Sequence, residues 1–141
     1  MISLRHMFEA GHAVKREMVL RIVLIVVGLL FAVGGVYVLI PSVRDGWRIN
    51  KEQVEPMFIS LYVTQGIFLL LAARKPSSNR GVICFAGWLN VAHAAIMTIM
   101  ALHLPNERED LLVGAAVFGL IGVLLIALAP PRQLQEAAST T

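Results

Sequence analysis

The chain has 141 residues, of which 57% are hydrophobic and only 15% charged, a balance too apolar for a water-soluble domain of that length. Its formal charge of +3 comes from basic residues scattered among short polar stretches rather than gathered on one face, which argues against nucleic acid as a partner. A single cysteine, Cys84, leaves neither a disulfide framework nor a CxxC pair, so simple thiol–disulfide exchange is excluded.

The first seventeen residues, MISLRHMFEAGHAVKRE, mix Leu4, Met7 and Phe8 with charged positions, and Gly11 is predicted to interrupt any helix there. This reads as a cytoplasmic segment lying along a membrane surface. The first apolar run, Ile22 to Ile40, follows Lys15, Arg16 and Arg21, as a secretory signal would. It is longer than a signal's apolar core, and it ends in bulky residues and Pro41 rather than in a small-residue cleavage site, so it is read as an uncleaved helix.

Three more uncharged runs follow, Pro56 to Ala73, Gly81 to Asn106 and Leu111 to Pro131. Each approaches or exceeds the roughly 20 residues a helix needs to cross hydrocarbon. The predicted fold is therefore all-α, an integral membrane bundle of four transmembrane helices at about 19–40, 56–73, 81–104 and 111–130, within a membrane domain covering 18–130. Helices rather than barrel strands are expected, because a spanning backbone must satisfy its own hydrogen bonds and the runs are continuous.

The connections are punctuated by turn formers. RKPSSNR (Arg74 to Arg80) and the stretch from Leu104 to Asp110, with Pro105 and Asn106, each predict a tight antiparallel hairpin. The longer stretch from Pro41 to Val54 has room for a short interfacial helix with Trp47 at the surface. Residues 131–141 form a short polar tail, and no internal repeat is evident.

With the N-terminus inside, Arg5, Lys15, Arg16, Arg21, Arg74, Lys75, Arg80 and Arg132 share the cytoplasmic side, against Arg44, Arg48, Lys51 and Arg108 opposite. The positive-inside rule thus places both termini in the cytoplasm of a multi-pass inner-membrane protein.

Two polar side chains interrupt the third run, WLNVAHAAIMTIM, at mid-depth: Asn90 and His93. At about 100° per residue, Ala86, Asn90, His93, Met97 and Met100 share one stripe. Polar groups at that depth usually point into the bundle. The second run has Tyr62 and Gln65 at its own midpoint, three apart and so on one face. A cluster of Tyr62, Gln65, Asn90 and His93 linking helices two and three is the expected arrangement.

That cluster has three readings. The first is structural, with interhelical hydrogen bonds of about 0.6 kcal/mol on average. The second is a site for a ligand, proton or cofactor, because an ionisable group within a membrane is a functional hypothesis by default, and a neutral imidazole both donates and accepts. The third is a soft-metal stripe of His93, Met97 and Met100 suited to monovalent copper, although thioethers are also ordinary packing groups. His103 is rotated away from His93 and lies near the far interface.

Small residues indicate how the helices close up. Gly28, Gly34 and Gly35 in the first run, and Gly114, Ala115, Gly119 and Gly122 in the fourth, would let backbones approach, within one chain or between chains.

Several activities are argued down by what the spans lack. None contains the Asp or Glu expected of a proton-coupled exporter, His93 has no mid-depth partner histidine for paired haem ligation, and Ser60 lies at a different depth from His93. No catalytic constellation emerges, and no cofactor is predicted. The leading expectation is a non-enzymatic accessory or structural subunit, whose partners are the lipid bilayer and either its own copies or a larger membrane complex. The alternatives are a small-molecule carrier built around His93 and, third, a haem- or copper-binding protein.

From residue 55 to 100 the sequence resembles a group of small uncharacterised bacterial membrane proteins, a domain of unknown function with a pattern Y…G-x-x-L-L-x-A-x-R-x-P…W…H-x-x-x-M. The matching positions are Tyr62, Gly66, Leu69, Leu70, Ala72, Arg74, Pro76, Trp88, His93 and Met97. The resemblance implies a four-helix protein of the bacterial inner membrane and nothing about a substrate.

Overall fold

The computed structural model describes residues 4–44 and 54–131, and the described chain is all helical. The elements are α1 (Leu4–Arg44), α2 (Val54–Ala72), α3 (Arg80–His103) and α4 (Arg108–Leu128). Short 3₁₀ turns, Pro76–Asn79 and Pro105–Glu107, lead into α3 and α4. Three of the four helices are long and apolar enough to cross a membrane, and α2 contributes the shorter apolar stretch Met57–Ala72.

The predicted break at Gly11 does not occur. One helix of 41 residues, about 62 Å long, runs from Leu4 through Gly11 and through Pro41. A single glycine costs a helix only about 1 kcal/mol relative to alanine, and the neighbours Ala10, Ala13, Lys15, Arg16 and Glu17 include several strong helix formers. Pro41 falls in the last turn, where its missing N–H removes one bond, to the Tyr37 carbonyl. Trp47 and the rest of the 45–53 stretch lie outside the described residues, as does the tail from Arg132.

The turn after α2 is built locally. Pro76 opens the 3₁₀ segment with φ already fixed, and the Asn79 side-chain amide donates to the Lys75 carbonyl at 2.9 Å. At the opposite end α4 starts at Arg108 rather than near 111. Glu109 and Asp110 thereby fall in its first turn, where negative charge complements the helix dipole. The Arg108 Nε donates back to the Ala101 carbonyl at 3.0 Å, satisfying one of the last carbonyls of α3.

The helices associate as two hairpins. α1 packs along α2, and α3 packs along α4, whereas α2 touches α3 only lightly. This corrects the expected tight pairing of helices two and three. Glycines line the α1/α2 and α3/α4 seams and let those backbones approach, while Phe68, Phe85 and Leu89 line an open groove between α2 and α3.

In the first hairpin a Cβ on Gly66 would lie 2.5 Å from the Ala32 nitrogen and 2.7 Å from the Gly28 carbonyl oxygen. In the second, a Cβ on Gly122 would lie 2.9 Å from the Val91 nitrogen and 2.8 Å from the Gly87 carbonyl oxygen. Both are backbone-on-backbone approaches that only glycine permits, with van der Waals packing as the driving force.

The two crossings are equivalent, and the equivalence extends along the helices. Leu24, Gly28 and Phe31 of α1 correspond in register to Ile83, Gly87 and Asn90 of α3. Tyr62, Gly66 and Leu69 of α2 correspond to Phe118, Gly122 and Leu125 of α4. Leu24, Ile83, Leu69 and Leu125 are each 0% exposed. The hairpins are thus an internal structural repeat, invisible in the residue identities because burial and size recur rather than side chains.

The N-terminal part of α1, the α2–α3 turn and the end of α4 meet at one end of the bundle. Arg16 donates to the Ala127 and Ala129 carbonyls at 3.0 and 3.1 Å, and Arg80 Nε donates to the Pro130 carbonyl at 2.7 Å. Two cations therefore satisfy the open carbonyls at the C-terminus of α4.

Candidate functional site

Each helix delivers one ring to the centre of the bundle. Phe31 from α1, Tyr62 from α2, His93 from α3 and Phe118 from α4 form a continuous cluster. His93 meets Phe118 edge-on with centroids 4.6 Å apart, and meets Tyr62 edge-on at 5.4 Å. Phe31 stacks on Phe118 at 5.9 Å and tilts against Tyr62 at 5.3 Å. Such pairs contribute about 0.5–1.5 kcal/mol each beyond the area they cover.

The glycine crossings explain why these rings share a level. Phe31 lies three residues after Gly28, and Tyr62 and Phe118 each lie four residues before Gly66 and Gly122. About one helical turn separates each of these three rings from its crossing point, while His93 lies six residues after Gly87. The crossings bring the axes close, and the rings fill the space as the helices diverge.

Of the four residues expected to form a polar cluster, the structure brings Tyr62 and His93 into ring contact. No hydrogen bond joins Tyr62, Gln65, Asn90 and His93 to one another among the described residues. Asn90 is 0% exposed and donates to the Ala86 carbonyl of its own helix at 2.7 Å, leaving its Oδ1 without a partner. Gln65 is 8% exposed, and neither its Nε2 nor its Oε1 is bonded. An unmet buried polar group costs about 1–3 kcal/mol.

The proposed metal stripe is taken up by packing. A Cβ on Gly114 would overlap the Met97 methyl, so Met97 fills the α3/α4 seam. Met100 is 41% exposed on the outside of the bundle. Among the described residues there is no group of three or more His, Cys, Asp or Glu able to hold a metal ion.

The predicted small-residue positions divide. Gly28 and Gly35 face α2, where Cβ atoms would meet Leu70 and Val63, and Gly119 faces Ala94. Ala115 is buried. Gly34 has open space around it. Sequence reasoning gave Gly66 only as a position of the family pattern and overlooked Gly87, although these are the crossing partners of Gly28 and Gly122, and it overlooked Phe31 and Phe118. The available signal was one aromatic or imidazole ring near the middle of each run.

Between α2 and α3 an open groove of about 560 Å³ remains, lined chiefly by apolar side chains including Leu61, Phe68, Phe85 and Leu89. Gln65 is part of its lining. A second, smaller depression of about 250 Å³ lies at the Arg16 end, against Leu20, Pro76 and Pro130.

A sequence model described as a family of unknown function, DUF6632, matches residues 13–139, far more of the chain than the stretch 55–100 that carries the resemblance. No curated protein and no solved structure matches the chain.

Proposed function

The chain belongs to this family of unknown function, DUF6632, and from its own residues we propose a non-enzymatic accessory or structural subunit of the bacterial inner membrane, crossing it four times with both termini cytoplasmic. The observation that carries this reading is the ring cluster. Tyr62 and His93, the groups best suited to chemistry at mid-depth, are in van der Waals contact with Phe31 and Phe118 from the other two helices. That contact makes the centre a plug, and it leaves the outer helix faces as the surface on which the protein works.

Four crossings are supported by the pairing of α2 against α1. At 19 residues α2 is about 28 Å long, close to the roughly 30 Å thickness of hydrocarbon. Cytoplasmic termini are supported by the end at which Arg16, Arg74, Lys75 and Arg80 gather, opposite Glu107, Glu109 and Asp110. The same ring contacts weigh against a carrier centred on His93, and the seating of Met97 against Gly114 weighs against a copper stripe.

Mild extraction from native membranes, after brief chemical cross-linking, tests the reading. A second copy or another membrane protein recovered in fixed proportion supports an accessory role. A chain that stays monomeric in detergent and captures no neighbour in the membrane removes it.

A further inference from the structure

The repeat supplies an internal control for every position between the hairpins. The α1/α4 seam and the α2/α3 seam are equivalent by register, yet they are built differently. Where α2 presents Gln65 to its seam, α4 presents Ile121. The α1/α4 seam is also tied at one end by the Arg16 bonds to the α4 carbonyls. The α2/α3 seam has its groove instead, and it is there that an amide with both polar atoms unbonded lies more than nine-tenths buried.

We infer that the α2/α3 groove is a binding site for a neutral lipid, with an apolar chain lying along Phe68, Phe85 and Leu89 and a hydroxyl or ester carbonyl bonding the Gln65 amide as that buried side chain turns into the groove. The volume falls within the range of about 300–1,000 Å³ usual for small-molecule sites. The chemistry follows from the lining. Thr64 donates its hydroxyl to the Ser60 carbonyl at 2.9 Å and so is already satisfied. Gln65 offers two donors and one acceptor oxygen, which suits a hydroxyl or a carbonyl.

A charged head group does not fit. No Asp, Glu, Lys or Arg lines the groove. Gln65 precedes the end of α2 by seven residues, about 10 Å of helix rise, a depth at which an ionised group is costly. Diacylglycerol has the required pattern, with two apolar chains, ester carbonyls and one hydroxyl. The inference rests on the membrane-spanning reading but is independent of the accessory role.

The test uses the full chain in phosphatidylcholine vesicles containing a trace of diacylglycerol with a photoactivatable acyl chain, and maps the labelled residues. The expected result is labelling at Phe68, Phe85 and Leu89 at least about fivefold above that at their register mates Leu124, Val26 and Leu30. Gln65→Leu should reduce groove labelling about fivefold, the loss of one good hydrogen bond. That variant removes an unbonded buried amide, so it retains its helical content. Gly81→Leu obstructs the groove from a position where a Cβ meets open space, and it should reduce labelling similarly.

Equal labelling of both seams, unchanged labelling in Gln65→Leu, or equal groove labelling by photoactivatable phosphatidylcholine overturns the proposal while leaving the chain embedded. Cross-linking of a second copy across Phe68 and Phe85 also overturns it, by giving the groove to a protein partner. Labelling nowhere on the chain refutes both the site and the membrane-spanning reading.

Discussion

The α1/α2 and α3/α4 hairpins share a scaffold and differ in what they hang on it. In both, a pair of glycines brings two backbones into contact, and large aliphatic side chains one turn away close the seam. At equivalent positions the first hairpin has Phe31, Gly34 and Gln65 where the second has Asn90, His93 and Ile121. The glycines of each crossing and the aliphatic side chains one turn beyond them recur, whereas Phe31/Asn90, Gly34/His93 and Gln65/Ile121 differ. Polar groups therefore accumulate where the repeat does not need a particular shape.

The strongest way to break the comparison is at a crossing. Gly66→Leu or Gly122→Leu sets a side chain against backbone atoms under 3 Å from its Cβ, which cannot move aside cheaply. Overpacking of this kind costs about 1–3 kcal/mol and at times more. Each variant should lose cross-linking between cysteines placed across its own hairpin, while the other hairpin stays intact. If both hairpins open together, the repeat units are not independent.

Phe118→Ala removes one of the two rings that touch all three others, the second being Tyr62, and unfolding in graded denaturing detergent should show a loss of about 3 kcal/mol. Tyr62→Phe leaves the rings in place and should change stability by less than about 0.5 kcal/mol. A large loss from Tyr62→Phe would mean that the hydroxyl, not the ring, carries the contact.

Arg16→Ala tests what the tie across the α1/α4 seam contributes. It should cost about 1 kcal/mol and make the α1/α4 seam more accessible to a membrane-soluble thiol reagent at a cysteine introduced for Leu124. Unaltered accessibility would leave packing alone as the reason for closure.

The smallest effect, and the most informative about polarity, is at Asn90. Asn90→Leu exchanges a half-satisfied amide for an apolar side chain and should be neutral or stabilising by up to about 1 kcal/mol. A loss greater than that would show a partner for Oδ1 that matters to the native protein. Gly34→Ala, set in open space, should be silent in the same assay.

Much of the plan could be read from the residues. Uncharged runs separated by proline-bearing turns fix a helical class, because hydropathy and turn chemistry are local properties. Tyr62, Gln65, Asn90 and His93 were legible as polar side chains at mid-depth for the same reason. Their pairing was only partly legible, since facing residues are chosen by how closely helices pack, and the short connector between α2 and α3 brought Tyr62 to His93 without a close seam. Gly11 misled because the strong helix formers around it outweigh one glycine, and Pro41 because it sits in the last turn, where its missing N–H removes a single bond.

The sequence by itself determined the number of helices, the apolar length of each and the end at which basic charge gathers. Only the tertiary structure decided that the helices close as two equivalent hairpins, that Phe31 and Phe118 enclose Tyr62 and His93, and that Gln65 is left unbonded beside an open groove. The physical reason is that close packing depends on the size of both partners at a crossing. Gly28 and Gly66, or Gly87 and Gly122, are informative only as pairs, and residues so distant along the chain become a pair only when the helices meet.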